Sequence, residues 1–369
     1  MITENDEQLI YTIGLALLNG IGPVNARRLL QHCGEAREVF KAKKSTLLQI
    51  PGIGEYTASC IDDKIMLRAE EEWRFIEKNN IRAMSIMHPD YPQRLFQCED
   101  APTVLYCKGS HHPEGERMVS IVGTRYPSEQ GKKFCEELIG GLAQNGIRIV
   151  SGLAYGIDIC AHRACLKNEV TNFAVLAHGL DRIYPTHHFS TAEHLLENGA
   201  WISEYTSKTN PDRENFPQRN RIIAGLCDAT VVIETGYKGG SIITAMIANE
   251  YNRDVFAMPG RPGDDKTAGC NRLIKINRAG LIENAGDFLR MMGWDKKTEK
   301  RKAIQTSFFP ELDGDEKILM EILKEKGNCS ADFLCLETAF TPGKVSTVLL
   351  GLEFKGLVKS LAGKRYELL

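Results

Sequence analysis

Between about residues 81 and 294 the apolar positions gather into short β-rich runs, 103–107, 118–122, 147–150, 173–176, 200–203, 230–234 and 255–258, separated by stretches of helical pattern. Strands alternating with helices predict a mostly parallel sheet covered on both faces, an extended Rossmann-like α/β domain over 81–294. Residues 1–80 ahead of it read as α-helical. Behind it, 295–313 carries Asp295-Lys-Lys-Thr-Glu-Lys-Arg-Lys302 without apolar periodicity and reads as a solvated linker. The last stretch, 314–369, shows helical patterns at 315–325, 330–335 and 342–355, then a terminal hairpin of 357–360 and 365–368 around Ala362 and Gly363.

The helical segment holds a short repeat. Leu18-Asn-Gly-Ile-Gly-Pro-Val-Asn-Ala-Arg-Arg-Leu-Leu30 is answered by Leu48-Gln-Ile-Pro-Gly-Ile-Gly-Glu-Tyr-Thr-Ala-Ser-Cys60. Each copy is an apolar residue, Gly-x-Gly and a helix start; glycine admits positive φ in the turn and bares amide groups at the next helix N-terminus. The spacing resembles a tandem helix-hairpin-helix (SAM-like) module, with a plain helical bundle as the alternative and Glu55 opposing a phosphate at the second copy. Three helices and a hairpin at the carboxyl end resemble a winged helix, a fold that binds DNA or protein.

Length and charge narrow the function classes. The 369 residues exceed one ordinary compact domain, and 43% apolar with 25% charged residues excludes a disordered or collagen-like chain. With 46 basic against 48 acidic residues the net charge is −2, so any nucleic-acid site must be a local patch. The first nine residues carry Glu4, Asp6 and Glu7 and no basic stretch, and no run approaches the ~18 apolar residues of a membrane span, which predicts a cytoplasmic protein. Eleven cysteines lie mostly singly in apolar segments, without paired zinc spacings, and read as reduced core thiols; a metal or redox role for Cys160 and Cys165 is the minor alternative.

Candidate chemistry collects at the ends of the predicted strands. The run 119–122 leads into Gly123-Thr-Arg-Tyr-Pro-Ser-Glu-Gln-Gly131, where Gly123 lets backbone approach a ligand, the helix starting near Ser128 favours an anion, and Arg125 clasps it. Neither a dinucleotide fingerprint nor a P-loop is present, so NAD and ATP lose their support and no cofactor is expected. The next run ends in Val150-Ser-Gly-Leu-Ala-Tyr-Gly-Ile-Asp158, which places Ser151 and Gly152 beside the first crevice; Asp158 reads as a first-turn cap and His162 as a packed side chain. His178, His187 and His188 lack carboxylates at ligand spacing, and no metal site is expected.

The richest stretch is Asn210-Pro-Asp-Arg-Glu-Asn-Phe-Pro-Gln-Arg-Asn-Arg-Ile-Ile-Ala-Gly-Leu226. Phe216, read as a loop aromatic, has Arg213, Arg219 and Arg221 around it. A flat ring beside guanidinium groups suits single-stranded nucleic acid, since bases stack at ~1–3 kcal/mol each and arginines take phosphates. The competing reading pairs the arginines with Asp212 or Glu214 and buries the ring. A third cradle follows at Thr235-Gly-Tyr-Lys-Gly-Gly-Ser241, with Ser241 as helix N-cap and Gly240 and Lys238 at the helix start.

The ordered set Gly-Thr-Arg at 123–125, Ser-Gly-Leu-Ala-x-Gly-Ile-Asp at 151–158, Gly-Leu-Asp-x-Ile-Tyr-Pro at 179–185, Ser-Glu-Tyr at 203–205, Phe-Pro-x-Arg-Asn-Arg at 216–221, Gly-Ser-x-Ile-Thr-Ala at 240–245 and Phe-Ala-x-Pro-Gly at 256–260 resembles the DNA-processing protein A family (DprA, also called Smf). The resemblance implies a non-enzymatic homodimer that binds single-stranded DNA, protects incoming strands in natural transformation, and loads the RecA recombinase onto DNA coated by single-strand-binding protein. It implies that Arg125 contacts phosphate, that Phe216 stacks near a base, that Arg219, Asn220 and Arg221 shape the pocket, that Arg213 adds basic character, and that Lys238 and Ser241 lie on the third cradle. The dimer surface it implies falls at roughly 273–281.

Gly239-Gly240-Ser241 and Gly269-Cys270-Asn271 depart from the Ser-Gly-Ser and Gly-Thr-Asn common in that family. The alternative from another class is a Rossmann-like nucleotide-processing hydrolase with Glu234 as its nucleophile or base. Its Pro-Gly-Gly-x-Gly-Thr signature is absent.

Overall fold

The structure is a computed structural model and describes residues 3–295, 312–361 and 364–369. Almost all of the expected linker, and the Ala362-Gly363 hairpin tip, lie outside the described residues. The chain divides into two compact units, Met1–Lys297 and Thr298–Leu369. Residues 1–80 belong to the same unit as the sheet.

The helical segment comprises α1 (Glu4–Leu17), α2 (Pro23–Cys33), α3 (Ala36–Lys41), α4 (Lys44–Leu47), α5 (Glu55–Ser59) and α6 (Met66–Lys78). In each Gly-x-Gly only the first glycine is left-handed, Gly20 at φ 84° and Gly52 at φ 85°, while Gly22 and Gly54 are the extended N-caps of α2 and α5. The two copies cover each other. A Cβ on Gly52 would meet Arg28 Nη1 at 2.1 Å and one on Gly20 would meet Tyr56 Cε1 at 2.7 Å, so side chains of each copy lie over the turn of the other. Glu55, expected to repel a phosphate, is paired with Lys44 at 2.6 Å.

Two charged groups fasten this segment to the sheet. Arg27 donates to the carbonyls of Phe96 and Cys98 at 3.0 and 2.9 Å and covers the Phe96 ring. Buried Glu72 accepts from the Ser207 amide at 2.8 Å and from Arg68 at 2.8 Å.

The sheet domain runs β1 (Arg82–Ser85), α7 (Gln93–Phe96), β2 (Val104–Gly109), β3 (Arg117–Gly123), α8 (Glu129–Leu142), β4 (Ile147–Ser151), α9 (Ile157–Lys167), β5 (Asn172–Val175), α10 (Phe189–Leu195), β6 (Gly199–Ser203), α11 (Asn215–Gly225), β7 (Ala229–Ile233), α12 (Gly240–Glu250), β8 (Asp254–Ala257), α13 (Ala268–Lys275), β9 (Gly280–Leu281) and α14 (Ala285–Met291). Nine strands form one sheet in the order β1-β2-β6-β5-β4-β3-β7-β8-β9. Pairing is parallel from β6 to β9 and antiparallel at β1–β2 and β2–β6. The seven expected runs all become strands. The edge strands β1 and β9 escaped the reading, β1 because at the sheet edge only Met84 of its four residues is buried and β9 because it has two residues.

Strand alternation divides the core between the faces. Val119 and Ile121 of β3 pack with Leu138, Ile139 and Ala161 of α8 and α9. Met118 and Val122 pack with Ile222, Ile223, Ala245 and Ala248 of α11 and α12. On that second face Ser120 donates to Thr230 Oγ1 at 2.7 Å, which satisfies two hydroxyls under the strand ends.

Topology then places the site. From β3 the chain lays β4, β5 and β6 to one side and afterwards crosses back to lay β7, β8 and β9 on the other. The reversal falls between β3 and β7, and in open α/β sheets the crevice beyond the carboxyl ends of such strands is where ligands bind.

The second unit, described by itself, contains α15 (Gly314–Lys326), β10 (Cys329–Ser330), α16 (Ala331–Thr338), α17 (Pro342–Phe354), β11 (Val358–Leu361) and β12 (Arg365–Leu368). Its sheet has the order β10-β12-β11, and Leu319, Leu323, Leu334, Val345, Leu349 and Leu352 form its own core. No helix among the described residues is long and apolar enough to cross a membrane.

Candidate nucleic-acid interface

Beyond β3 and β7 opens a cavity of about 600 Å³, lined by Gly123, Thr124 and Arg125 after β3, by Arg213, Phe216, Arg219 and Asn220 around α11, and by Thr235, Gly236, Gly240, Ser241 and Thr244 after β7. A second lobe of about 890 Å³ lies between the β3 and β4 loops, with Tyr126, Gly152, Tyr155, Gly156, Arg163, Pro185 and Lys266 on its walls. Arg125, Ala154, Tyr184 and Phe216 border both.

At that shared border the Arg125 guanidinium stands 5.6 Å from the centroid of the Phe216 ring, and Tyr184 lies against the same ring at 6.1 Å and 57°. Arg125 is exposed and has no ion pair among the described residues. Arg213 is likewise exposed at the rim. An exposed cation over a half-buried ring offers one charge and one flat face to the same ligand.

Backbone packing fixes where Arg125 stands. A Cβ on Gly123 would meet the Ile233 carbonyl at 2.0 Å, so β3 can lie against β7 only through glycine. Gly156, at φ 84°, presses the β4–α9 loop onto the Thr124–Arg125 backbone, where a Cβ would meet Thr124 O at 2.1 Å. Ile157 also donates its amide to Thr124 O at 3.1 Å. The Arg125 main chain is therefore held from both sides.

Other candidates proved to be scaffolding. Ser151 is fully buried and donates to Ile121 O at 2.7 Å, so it faces no ligand. Gly152 gives its amide to Asp158 at 3.1 Å and its carbonyl to Arg219 at 2.7 Å. Arg219 is 3% exposed; besides Gly152 it donates to Val175 O and, at 3.2 Å, to Asn220 Oδ1. Desolvation pushes its pKa down to about 10, partly offset by the charge of Asp158. Arg221 turns away from the cavity to pair with Glu204 and the Asp100 carbonyl. Of the arginine cluster, Arg213 is the exposed cation at the cavity, Arg219 is buried in its wall, and Arg221 does not line it. Neither Asp212 nor Glu214 is the partner.

Two cradles also differ from expectation. The N-terminus of α8 is occupied by protein: Ser128 caps it at 3.1 Å to Gly131 N, and Glu234 accepts from the Ser128 amide at 2.7 Å and from its hydroxyl. The helix end already carries a carboxylate of the protein itself. Glu234 is 2% exposed, sits in the left-handed region at φ 51°, and faces a separate cavity of about 660 Å³ with Arg261, Asp264 and Thr267. At α12 the N-cap is Gly239; Ser241 lies one residue inside the helix, 7% exposed, with a hydroxyl that has no partner among the described residues. Lys238 is exposed in the preceding loop and outside the cavity lining.

Phe216 occupies the first turn of α11, a helix whose early start the Asn215-Phe-Pro sequence disguised as a loop. His162 meets Asn172 Oδ1 at 2.8 Å, and burial pushes its pKa down to about 4; His178 and His188 contact main-chain carbonyls. At the departure from the family pattern, Asn271 clasps Gly260 through both its amide and its carbonyl at 3.0 and 2.9 Å, and Cys270 is buried beneath. Sequence reasoning missed Tyr155, Tyr184, Arg163 and Lys266. Nothing in their local patterns marks them, because loops after different strands bring them together.

Fold and site together define an α/β protein with a switch-point crevice suited to flat, anionic ligands. A model of the DNA recombination-mediator protein A family matches residues 82–293, that of the DprA winged helix domain residues 309–364, and that of the SAM-like helix-hairpin-helix tandem residues 14–61. The chain is 34% identical to Protein Smf of Synechocystis over 98% of its length and 99% of that protein's. It is 41% identical to DNA processing protein DprA of Streptococcus pneumoniae over 56% of this chain and 73% of that protein. The X-ray structure of the pneumococcal protein superposes with a TM-score of 0.64 and 32% identity, covering 78% of this chain and 98% of that one. A structure of DNA processing protein A from Helicobacter pylori, described in terms of its single-stranded DNA binding mode, superposes with a TM-score of 0.53 and 30% identity over 58% of this chain and 96% of that one. The chain belongs to the DNA recombination-mediator protein A family.

Proposed function

We propose that this protein binds single-stranded DNA across the carboxyl edge of its sheet and acts by binding, without catalysis. One observation carries the reading: the exposed, unpaired Arg125 over the Phe216 ring on the border of two open lobes. A single strand presents alternating phosphates and flat bases, the two features that this pair meets. Arg213, Arg163 and Lys266 supply further phosphate contacts around the lobes, and Tyr155 and Tyr184 supply further stacking faces. Glu234, the acid that a nucleotide hydrolase would need, is held by Ser128 and faces away from both lobes.

Family membership supports the wider role in DNA processing. On this reading the protein, as a homodimer in the cytoplasm, protects incoming strands during natural transformation and loads RecA recombinase onto DNA coated by single-strand-binding protein. The test is a titration of a labelled oligo-dT with Phe216→Ala and Phe216→Tyr variants. The alanine variant is expected to lose about 1–3 kcal/mol of binding and the tyrosine variant to retain it; wild-type affinity in the alanine variant would remove Phe216 from the site.

A further inference from the structure

A second exposed ring and cation stand at the rim of the first lobe, on its β7 side. Tyr237 lies in the loop between β7 and α12; its neighbours Gly236 and Gly239 line that lobe, and the residue is 61% exposed. The guanidinium of Arg272, exposed on α13, stands 4.9 Å from the centroid of the Tyr237 ring. Among the described residues neither the Tyr237 hydroxyl nor the Arg272 guanidinium has a hydrogen bond or an ion pair. The pair repeats the chemistry of Phe216 and Arg125, a flat face beside a free charge, at a shorter separation.

Main-chain contacts put the ring and the cation together. The Gly269 amide donates to the Thr235 carbonyl at 2.8 Å, and a Cβ on Gly269 would meet the Gly236 carbonyl at 2.5 Å, so the start of α13 is pressed onto the segment from which the Tyr237 loop springs. The Gly239 amide closes that loop onto the Gly236 carbonyl at 3.0 Å. Arg272 follows nearly one turn along α13 from the contact. Between this pair and Phe216 the wall of the lobe is the start of α12. No side chain caps that helix at Gly239, the space above Gly240 is open, and Ser241 lines the lobe with a hydroxyl that has no partner among the described residues. Uncapped amides at a helix N-terminus suit a phosphate.

We propose that Tyr237 and Arg272 form a second stacking platform for single-stranded DNA, which takes one base on the Tyr237 ring and the adjoining phosphate on Arg272. The inference rests on the binding proposed for the crevice and extends it: the strand leaves Phe216 and Arg125, passes a phosphate over the start of α12 and reaches the second ring. An aromatic face accepts any base, so the platform lengthens the bound segment without adding sequence preference. Arg272 neutralises a phosphate and so adds to the release of counterions.

The test is a titration of labelled oligo-dT strands of increasing length with the full-length wild type and with Tyr237→Ala, Tyr237→Phe, Arg272→Gln and Phe216→Ala variants. Tyr237→Ala is expected to bind long strands about 5- to 150-fold more weakly, the worth of one stacked base, and to lose most of the affinity that the wild type gains as the strand lengthens; Tyr237→Phe should bind as the wild type does. Arg272→Gln should reduce the salt slope by about one. Both residues are exposed, so these variants should melt with the wild type. Wild-type binding by Tyr237→Ala at every length, with affinity lost in Phe216→Ala, would overturn the second platform and leave the crevice in place. Wild-type binding by both alanine variants would remove the Phe216 reading and the platform together. Loss of binding in Tyr237→Ala that comes with loss of self-association in sedimentation would assign the pair to a contact between copies of the chain and would equally overturn the platform.

Discussion

Arg125 and Arg221 are one residue type put to opposite uses by their surroundings. Arg221 is 12% exposed and neutralises Glu204, itself 13% exposed. Replacing it, as Arg221→Met, leaves a buried carboxylate unpaired, and chemical denaturation should show a loss of about 3–5 kcal/mol. Arg125→Ala, at an exposed position, should leave the melting temperature unchanged and weaken single-strand binding. Histidine supplies a prediction in pH. His162 titrates near 4 in the folded protein and near 6.5 when unfolded, so below 6.5 the unfolded chain binds more protons and stability falls as pH falls. His178 and His188, also lowered by burial, act with the same sign. Urea denaturation should lose up to about 3 kcal/mol between pH 7 and pH 4 from His162 alone; stability that held constant across that range would contradict the buried neutral imidazole.

At the scale of elements, the site depends on two loop conformations. Gly156→Ala places a Cβ at φ 84° against the Thr124 carbonyl, so it should cost at least about 1–2 kcal/mol of stability. Because that contact braces Arg125, binding to oligo-dT should weaken as well, under conditions where circular dichroism shows the variant folded. Glu234→Ala removes the carboxylate from the α8 N-terminus and should cost about 0.5–2 kcal/mol by thermal melting while oligo-dT binding stays intact. The strands were legible because β-branched runs recur between helical patterns, and the start of α8 near Ser128 was legible because helix-start chemistry is local. The roles of the arginines were not. Arg213, Arg219 and Arg221 are equivalent in composition, but Arg213 lies exposed in the turn before α11, whereas Arg219 and Arg221 lie on the helix and are carried to Gly152 and Glu204. Glu234 escaped for a similar reason, since its partner Ser128 is more than a hundred residues away in the chain.

For the whole molecule, a net charge of −2 means that binding to a polyanion cannot come from a general field and must arise at a local site. The crevice between β3 and β7, and the lobe beside it, meet that requirement with Arg125, Arg213, Arg163 and Lys266 placed by four separate loops or helices. Folding of the 3–295 body is therefore what creates the basic patch. The most direct measurement is a fluorescence-anisotropy titration of labelled poly-dT and of a duplex of equal length at several salt concentrations, for the wild type and Arg125→Glu. Preference for the single strand is expected, with affinity falling as salt rises and with both the affinity and the salt slope reduced in the variant. Equal binding of strand and duplex, or an unchanged slope in Arg125→Glu, would contradict the assignment of this crevice as the DNA site.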